Sequence, residues 1–136
     1  MKVPASPPKL TLLAFLTTTC KTCAGLWSDL KSAPPGGPIG AELVVVTPSK
    51  SMEDEEEAKR LLPGGARLHM SSGTWFFYGV LQAGTFLLAL PGPEGLEPWL
   101  APGEVLGMAS VTDLSELPPL LLQWTRRSPG MTSSSP

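Results

Sequence analysis

Cys20 and Cys23, three positions apart, are the residues of this chain best suited to a covalent reaction. They stand where an apolar segment, residues 10–16, gives way to a helix-type pattern of apolar residues. At a helix N-terminus, unpaired backbone N–H groups and the helix dipole stabilise a thiolate, so the pKa of the Cys20 thiol should fall below about 8.5. Lys21 adds a neighbouring positive charge, and helical spacing brings Cys23 close enough to close a disulfide. The pattern therefore predicts thiol–disulfide exchange, in which Cys20 attacks a partner's disulfide and Cys23 resolves the mixed disulfide.

Other uses of the two cysteines are weaker or remain open. Two small buried hydrophobes would explain the pair without any redox role, because cysteine is often found in protein cores. A structural zinc site needs four ligands, and Cys20, Cys23 and His69 supply only three soft ones. We therefore expect no metal. The cysteine pair carries the electrons itself, so no organic cofactor is expected either.

The elements that must hold the pair alternate between strand and helix patterns. The start of the second helix is assigned to Ser51 with Asp54, and the acids of residues 53–57 suit the positive end of its dipole. Pro118 and Pro119 inside the last helix predict a late start or a kink. Strands are predicted over residues 10–16, 42–47, 66–70, 85–90 and 104–109, and helices over residues 20–31, 51–62, 73–79 and 113–127.

This alternation predicts an α/β fold with parallel crossovers. The last two strands have no helix between them and should pair antiparallel, which makes the sheet mixed. The 136 residues, 42% hydrophobic and 16% charged, suffice for one core. Residues 1–9 are predicted to be an extended lead-in, residues 10–127 the domain, and residues 128–136 a flexible tail.

Charge and hydropathy exclude two classes of partner. The net charge is −2, from 10 basic and 12 acidic residues, and the basic residues form no dense patch. A nucleic-acid partner is therefore not expected. No segment approaches the ~20 apolar residues that a membrane-spanning helix needs. A membrane tether in a longer parent protein is compatible with this sequence.

Three segments together resemble thioredoxin-fold thiol–disulfide oxidoreductases. LLAFLTTTCKTCAGLWSDL, residues 12–30, resembles the active-site strand, motif and helix of that family, and YGVLQAGTFLLAL, residues 78–90, resembles the segment that leads into its fourth core strand. Residues 44–70 between them resemble the added β-α unit of the TlpA/ResA-like (AhpC/TSA-type) branch. The resemblance implies a thioredoxin fold: a central mixed sheet of about five strands, flanked by helices, with a β-α insert.

The same resemblance implies roles for particular residues. Cys20 would be the nucleophile and Cys23 the resolving thiol. The partners would be protein dithiols and disulfides, and the setting extracytoplasmic and membrane-associated. The residues that would shape the site are Thr19, Lys21, Thr22, Gly84 and Thr85.

This chain departs from the family pattern at three positions. Gly84 stands where the family has a cis-proline, so either the 83–84 peptide is trans in a reshaped loop or strain is stored there. Thr19 replaces the usual aromatic residue before the first cysteine. Ala14 replaces the buried acid that thioredoxins proper carry. A specialised or partner-specific variant fits these departures better than a general electron donor.

The departures keep two further hypotheses open. The first is a redox-inert, thioredoxin-like protein-binding module. The second is a peroxiredoxin-like peroxidase: Thr17-x-x-Cys20 matches half of that family's PxxxTxxC pattern, but Leu13 holds the position of its proline.

Aromatic residues and the single histidine are assigned structural roles. We predict that Trp27 lies in the core and that at least two of Trp75, Phe76 and Phe77 do so as well. An exposed docking patch is the alternative for that trio. His69 is predicted to lie at the end of a short strand.

Overall fold

The computed structural model describes residues 10–19, 21–32, 41–101 and 103–126. The predicted lead-in over residues 1–9, the tail over residues 128–136 and Cys20 itself lie outside these ranges. Within them, no helix is both long enough and apolar enough to cross a membrane.

Strands and helices alternate along the described chain as predicted. The strands are β1 (Thr11–Phe15), β2 (Glu42–Thr47), β3 (Arg67–Met70), β4 (Thr85–Ala89) and β5 (Val105–Ser110). The helices are α1 (Lys21–Ser32), α2 (Glu55–Leu61), α3 (Ser72–Phe77) and α4 (Leu117–Thr125), with short 3-10 turns at Pro93–Gly95 and Leu114–Glu116.

The described strands form one mixed sheet in the order β3-β2-β1-β4-β5. β1 pairs parallel with β2, and β2 pairs parallel with β3. β4 pairs antiparallel with β1 on one side and with β5 on the other. β1 is therefore central, and its five residues are all buried, as a nearly continuous apolar run predicts. The mixed sheet flanked by helices that the sequence predicted is confirmed.

Each face of the sheet carries its own apolar core. The face under α1 and α4 packs Cys23, Leu26 and Trp27 against β1 and β4, and Trp27 is 1% exposed, so its predicted place in the core is confirmed. The opposite face packs Leu13, Phe15 and neighbouring strand residues against Trp99, Trp75 and Tyr78. Burial of both faces fixes the register of β1, and with it the point at which the chain leaves the sheet towards α1.

The start of α2 differs from the prediction, whereas the late start of α4 agrees with it. Asp54 alone caps α2, because its side chain accepts hydrogen bonds from the backbone N–H groups of Glu56 and Glu57. The start assigned to Ser51 is wrong. α4 begins late, at Leu117, as its prolines predicted. Pro118 and Pro119 lie in the first helical turn, where a missing N–H costs no helical hydrogen bond.

The aromatic trio of α3 is not in the core as predicted. Trp75 is half-buried and packs edge-on against Phe15, with ring centroids 5.4 Å apart. Phe76 is 86% exposed and Phe77 is 38% exposed, so the prediction that at least two of the three are core residues is wrong. The reason is geometric: consecutive helical residues point about 100° apart, and one side of a short helix cannot bury three in a row.

His69 lies within β3, next to the strand's last residue, as predicted. β3 forms one edge of the sheet, and His69 is half-buried there. Its Nε2 lies 3.1 Å from Oγ1 of Thr74, a residue of α3. The histidine therefore ties the edge strand to the helix that follows it.

Candidate functional site

The candidate site is built at the junction between β1 and α1. β1 ends at Phe15, residues 16–19 form a loop, and α1 begins at Lys21, which is exposed. The predicted succession of strand, loop and helix is confirmed over the described residues. The sulfur of Cys20, and with it the separation of the two sulfurs, lies outside them. Thr19 is exposed, and Thr22 lies in the first turn of α1.

Cys23 occupies the buried side of that first turn. Its exposed fraction is 0%, and it belongs to the core cluster that also contains Ala14, Leu16 and Leu26. A thiol in this position has no direct contact with solvent. Cys23 is thus a buried thiol, whereas Lys21 and Thr19, the sequence neighbours of Cys20, are exposed.

Hydrogen bonds from three different parts of the fold hold the loop before Cys20. The Leu16 N–H donates to the carbonyl oxygen of Val46 at 3.1 Å, which prolongs the pairing of β1 with β2. The Trp27 Nε1–H donates to the carbonyl oxygen of Thr17 at 3.0 Å, so α1 braces its own entry loop. On the third side, Thr18 bonds to Glu53.

Thr18 makes two bonds to the same carboxylate oxygen. Its backbone N–H donates to Glu53 Oε1 at 2.8 Å, and its Oγ1–H donates to that atom at 2.7 Å. The sequence analysis placed Glu53 in the acidic start of α2 and missed this contact. Its position one residue before the cap, Asp54, is the signal that could have set it apart, because a residue ahead of the cap is outside the helix.

Gly84 lies against the helix that carries Cys23. Its N–H donates to the carbonyl oxygen of Phe15 at 2.8 Å, and its own carbonyl accepts from the Val111 N–H at 2.9 Å. A Cβ on Gly84 would lie 3.5 Å from Leu26 Cδ1 and 3.1 Å from the Val111 oxygen. The loop that the resemblance assigns to the site is therefore in contact with α1, one turn after Cys23.

The conformation of Gly84 decides between the two alternatives stated for the 83–84 peptide. No cis peptide bond occurs among the described residues, and Gly84 has φ +91°. The loop is thus reshaped around a left-handed glycine, a conformation that side-chain-bearing residues rarely adopt.

Thr85 connects this loop to the edge of the sheet. It is 5% exposed; its Oγ1 donates to the carbonyl oxygen of Gln82 at 2.6 Å and lies 3.1 Å from Ser110 Oγ on β5. Thr85 also lines an open groove of about 300 Å³ together with Leu81 and Met108. Leu81 is 97% exposed, so the groove has an apolar rim beside the candidate site.

The position assigned to a proton-handling acid holds a methyl group. Ala14 is fully buried in β1 and shares the core cluster of Cys23. The acid that is hydrogen-bonded to the loop before Cys20 is instead Glu53, through Thr18. The electrostatics of this junction therefore differ from those that a buried acid in β1 would create.

Comparisons with known proteins identify the fold. No protein-family model and no curated protein matches the chain. Among solved structures, a secreted Mycobacterium tuberculosis disulfide oxidoreductase homologous to E. coli DsbE is 16% identical, with 85% of this chain and 81% of that chain covered and a TM-score of 0.57. StoA from Bacillus subtilis is 19% identical, with 89% and 85% covered and a TM-score of 0.57.

A third solved structure is similar over a still larger share of the chain. A putative thioredoxin from Neisseria meningitidis is 17% identical, with 93% of this chain and 81% of that chain covered and a TM-score of 0.60. These three likenesses extend over most of both chains. The chain therefore has the thioredoxin fold.

Proposed function

We propose that this chain is a thiol–disulfide oxidoreductase of the TlpA/ResA-like kind, which exchanges disulfides with protein partners through Cys20 and Cys23. The observation that carries the proposal is the place of Cys23: fully buried in the first turn of α1, directly after the loop that leaves β1. We expect Cys20, three residues earlier in the sequence, to lie at the start of the helix, where backbone N–H groups favour a thiolate.

The reaction we propose has two steps. The Cys20 thiolate attacks one sulfur of a partner disulfide, so that a mixed disulfide forms and the partner's other sulfur leaves as a thiolate. The Cys23 thiolate then attacks the Cys20 sulfur and releases the partner's second thiolate. The partner gains two electrons and takes up two protons, which the two thiols have lost, while Cys20 and Cys23 become a disulfide. The reverse sequence oxidises a partner dithiol.

Surrounding residues would shape access to this pair. Lys21 places a positive charge beside Cys20, Thr19 precedes the motif and Thr22 lies within it. Gly84 packs on α1 beyond Cys23, and Thr85 opens onto the groove rimmed by Leu81. A partner peptide that reaches Cys20 would lie over these residues.

Similarity of fold supports the class of reaction and the setting. One similar structure is a secreted disulfide oxidoreductase, and another is a putative thiol:disulfide interchange protein DsbE from Chlorobium tepidum, 17% identical with a TM-score of 0.50. We accordingly propose an extracytoplasmic setting for this chain as well.

A redox-inert binding module is the second function, and one observation favours it. Phe76 and Leu81 are 86% and 97% exposed, which leaves large apolar side chains available to a partner. Insulin reduction with dithiothreitol separates the two functions. The oxidoreductase accelerates insulin precipitation, and Cys20→Ser abolishes the acceleration; a binding module matches the uncatalysed rate. Catalysed consumption of added peroxide, with dithiothreitol as the reductant, would instead support the peroxidase hypothesis.

Trapping tests the separate roles of the two cysteines. Cys23→Ser cannot resolve the mixed disulfide, so partners should stay attached through Cys20 and appear on a non-reducing gel. Cys20→Ser is the matched control, because the one thiol of the motif that it retains, Cys23, is buried. Equal trapping by both variants would contradict the assignment of Cys20 as nucleophile.

A further inference from the structure

Glu53 joins two loops that are far apart in the sequence. It lies between β2 and α2, and its Oε1 accepts from both the N–H and the hydroxyl of Thr18, 35 positions away. Hydrogen bonds to an ionised acceptor are stronger than bonds between neutral groups. The contact therefore ties the loop that leads to Cys20 to the neighbouring connection of the sheet.

The loop that carries Glu53 is itself fixed. The Glu53 N–H donates to the carbonyl oxygen of Ser49 at 3.0 Å. The Ser49 N–H in turn donates to Ser72 Oγ at 3.0 Å, and the Ser72 N–H donates to Ser49 Oγ at 3.0 Å. Glu53 thus projects from a turn that is anchored to the start of α3.

Glu53 differs in this respect from the acids that follow it. Asp54 caps α2. Glu55, Glu56 and Glu57 form the first helical turn, where their negative charges interact favourably with the helix dipole. Glu53 lies ahead of the cap and is half-buried against Thr18. The dipole explains the acids of α2 but does not explain this contact.

The contact places a negative charge near the proposed nucleophile. Thr18 is two residues from Cys20, so their Cα atoms are at most about 7 Å apart. A carboxylate there disfavours the Cys20 thiolate, and it also occupies one backbone N–H of the same loop. Because the reduced pair is the form that contains the thiolate, destabilising it favours the disulfide and makes the pair a stronger reductant.

We propose that Glu53 is a positioning residue that fixes the loop before Cys20 and, through its charge, makes the Cys20–Cys23 pair more reducing. The inference rests on the proposed oxidoreductase function. Glu53 thereby biases the pair towards electron donation, in which the dithiol gives two electrons and two protons to a partner disulfide and becomes a disulfide.

Two variants separate the charge of Glu53 from its hydrogen bonds. Glu53→Gln retains a side-chain oxygen that accepts from Thr18 and removes only the charge, whereas Glu53→Ala removes both. Glu56→Gln is the matched control, because it removes one negative charge from an exposed acid three positions farther on. Glu53→Gln and Glu56→Gln therefore have the same net charge. Lys21, the first residue of α1, is the charged neighbour of Cys20 in the sequence and is unchanged in all of them.

The first measurement is the equilibrium of each protein with glutathione redox buffers. Taking the Thr18–Cys20 Cα separation as the scale, two unit charges about 7 Å apart in a water-like medium change an equilibrium by about threefold. Glu53→Gln should therefore shift the equilibrium constant about threefold towards the dithiol, which is about 14 mV at 29.6 mV per tenfold. Molar salt should erase most of this shift, because the Debye length then falls to about 3 Å. Glu56→Gln should follow the wild type.

The second measurement isolates the nucleophile. In a Cys23→Ser background, Cys20 is the one remaining cysteine, and its rate of alkylation by iodoacetamide reports the thiolate at each pH. Adding Glu53→Gln should move the midpoint of this profile to lower pH, and adding Glu56→Gln should not. Glu53→Ala should move it likewise and, unlike Glu53→Gln, should also lower the urea midpoint of unfolding.

Failure of the inference and failure of the proposed function are distinguishable. If the wild type forms a reversible disulfide but Glu53→Gln and Glu56→Gln have the same potential and the same alkylation profile, Glu53 has no electrostatic role and the inference is overturned. If the wild type forms no disulfide anywhere in the glutathione range, the proposed function itself is overturned.

Discussion

The Gly84 N–H donates to the Phe15 carbonyl oxygen at 2.8 Å, which bonds the loop before β4 to the last residue of the strand that leads to Cys20. Gly84 is simultaneously bonded to Val111, the residue after β5. Three separate segments of the chain thus meet at one glycine beside α1. Any substitution that disturbs the backbone of Gly84 should therefore alter both the candidate site and the stability of the sheet.

The left-handed conformation of Gly84 should make it intolerant of a side chain. Gly84→Ala places a Cβ at φ +91° and 3.1 Å from the Val111 oxygen, which should lower the free energy of unfolding by about 1–3 kcal/mol. Gly84→Pro should cost more, about 3 kcal/mol or above, because it also removes the N–H that bonds to Phe15 and forces φ to about −65°. Urea denaturation measures both changes.

Gly25 provides the matched control for Gly84. It is an exposed residue within α1, and a Cβ built there meets nothing within 4 Å. Gly25→Ala should raise the free energy of unfolding by about 0.5–1 kcal/mol, because alanine loses less backbone entropy in a helix. Equal effects of the two alanine substitutions would contradict the conformation given for Gly84.

A second glycine is required by close packing. A Cβ on Gly107 of β5 would overlap the indole ring of Trp124, at its Cγ, Cδ1 and Cδ2 atoms, so α4 rests on the sheet at this point. Gly107→Ala should cost about 1–3 kcal/mol through overpacking, and Trp124→Leu about 2–4 kcal/mol through the cavity it leaves.

The double variant tests whether the two losses share one cause. Because the smaller leucine makes room for the new methyl group, the combined loss should be smaller than the sum of the single losses by about 0.5–3 kcal/mol. Additive losses in urea denaturation would show that Trp124 does not lie on Gly107.

Strands and the approach to α1 could be predicted from the sequence because their signals are local. A run of buried β-branched residues such as residues 42–47 is a strand wherever it is placed, and β2 has those bounds. The sequence pattern also placed Cys20 and Cys23 after a strand and at a helix start. The missing helix between the last two predicted strands indicated a mixed sheet, but no local pattern says that β4 lies beside β1.

What the sequence could not predict depends on contacts between distant residues. In the sequence Glu53 differs from its acidic neighbours only by its position before the cap, and its contact with Thr18 arises from the packing of two distant loops. Phe76 is an apolar residue of a type common in cores. It is exposed because it lies on a side of α3 that does not face the sheet. The left-handed φ of Gly84 likewise follows from its bonds to Phe15 and Val111.

His69 should make stability depend on pH in the weakly acidic range. Burial lowers its pKa from the usual 6.5, and a hydrogen bond with the Trp99 backbone opposes the shift. Below pH 6.5 the unfolded chain therefore binds a proton that the folded chain still excludes, so the stability present above that pH is lost as the pH falls through the folded-state pKa. His69→Gln should remove this part of the pH dependence of the urea midpoint.

The titration of His69 can be observed directly, because the chain has one histidine. Its imidazole proton resonance should titrate with a midpoint below 6.5 in the folded protein. The lowered pKa values of Glu55, through Lys59, and of Asp113, through the Ser115 N–H, act only at more acidic pH and remain in the His69→Gln variant. A midpoint at or above 6.5 would contradict the burial of this side chain.

The state of both thiols across a glutathione redox series tests the central proposal most directly. Intact mass after alkylation counts how many of the two cysteines are protected at each potential. Cys20 and Cys23 should become protected together in one two-electron transition, with the loss of two hydrogens and no glutathione adduct, and Cys23→Ser should abolish the transition. Two thiols that remain open to alkylation at the oxidising end, or a wild type that carries only a glutathione adduct, would contradict the redox pair.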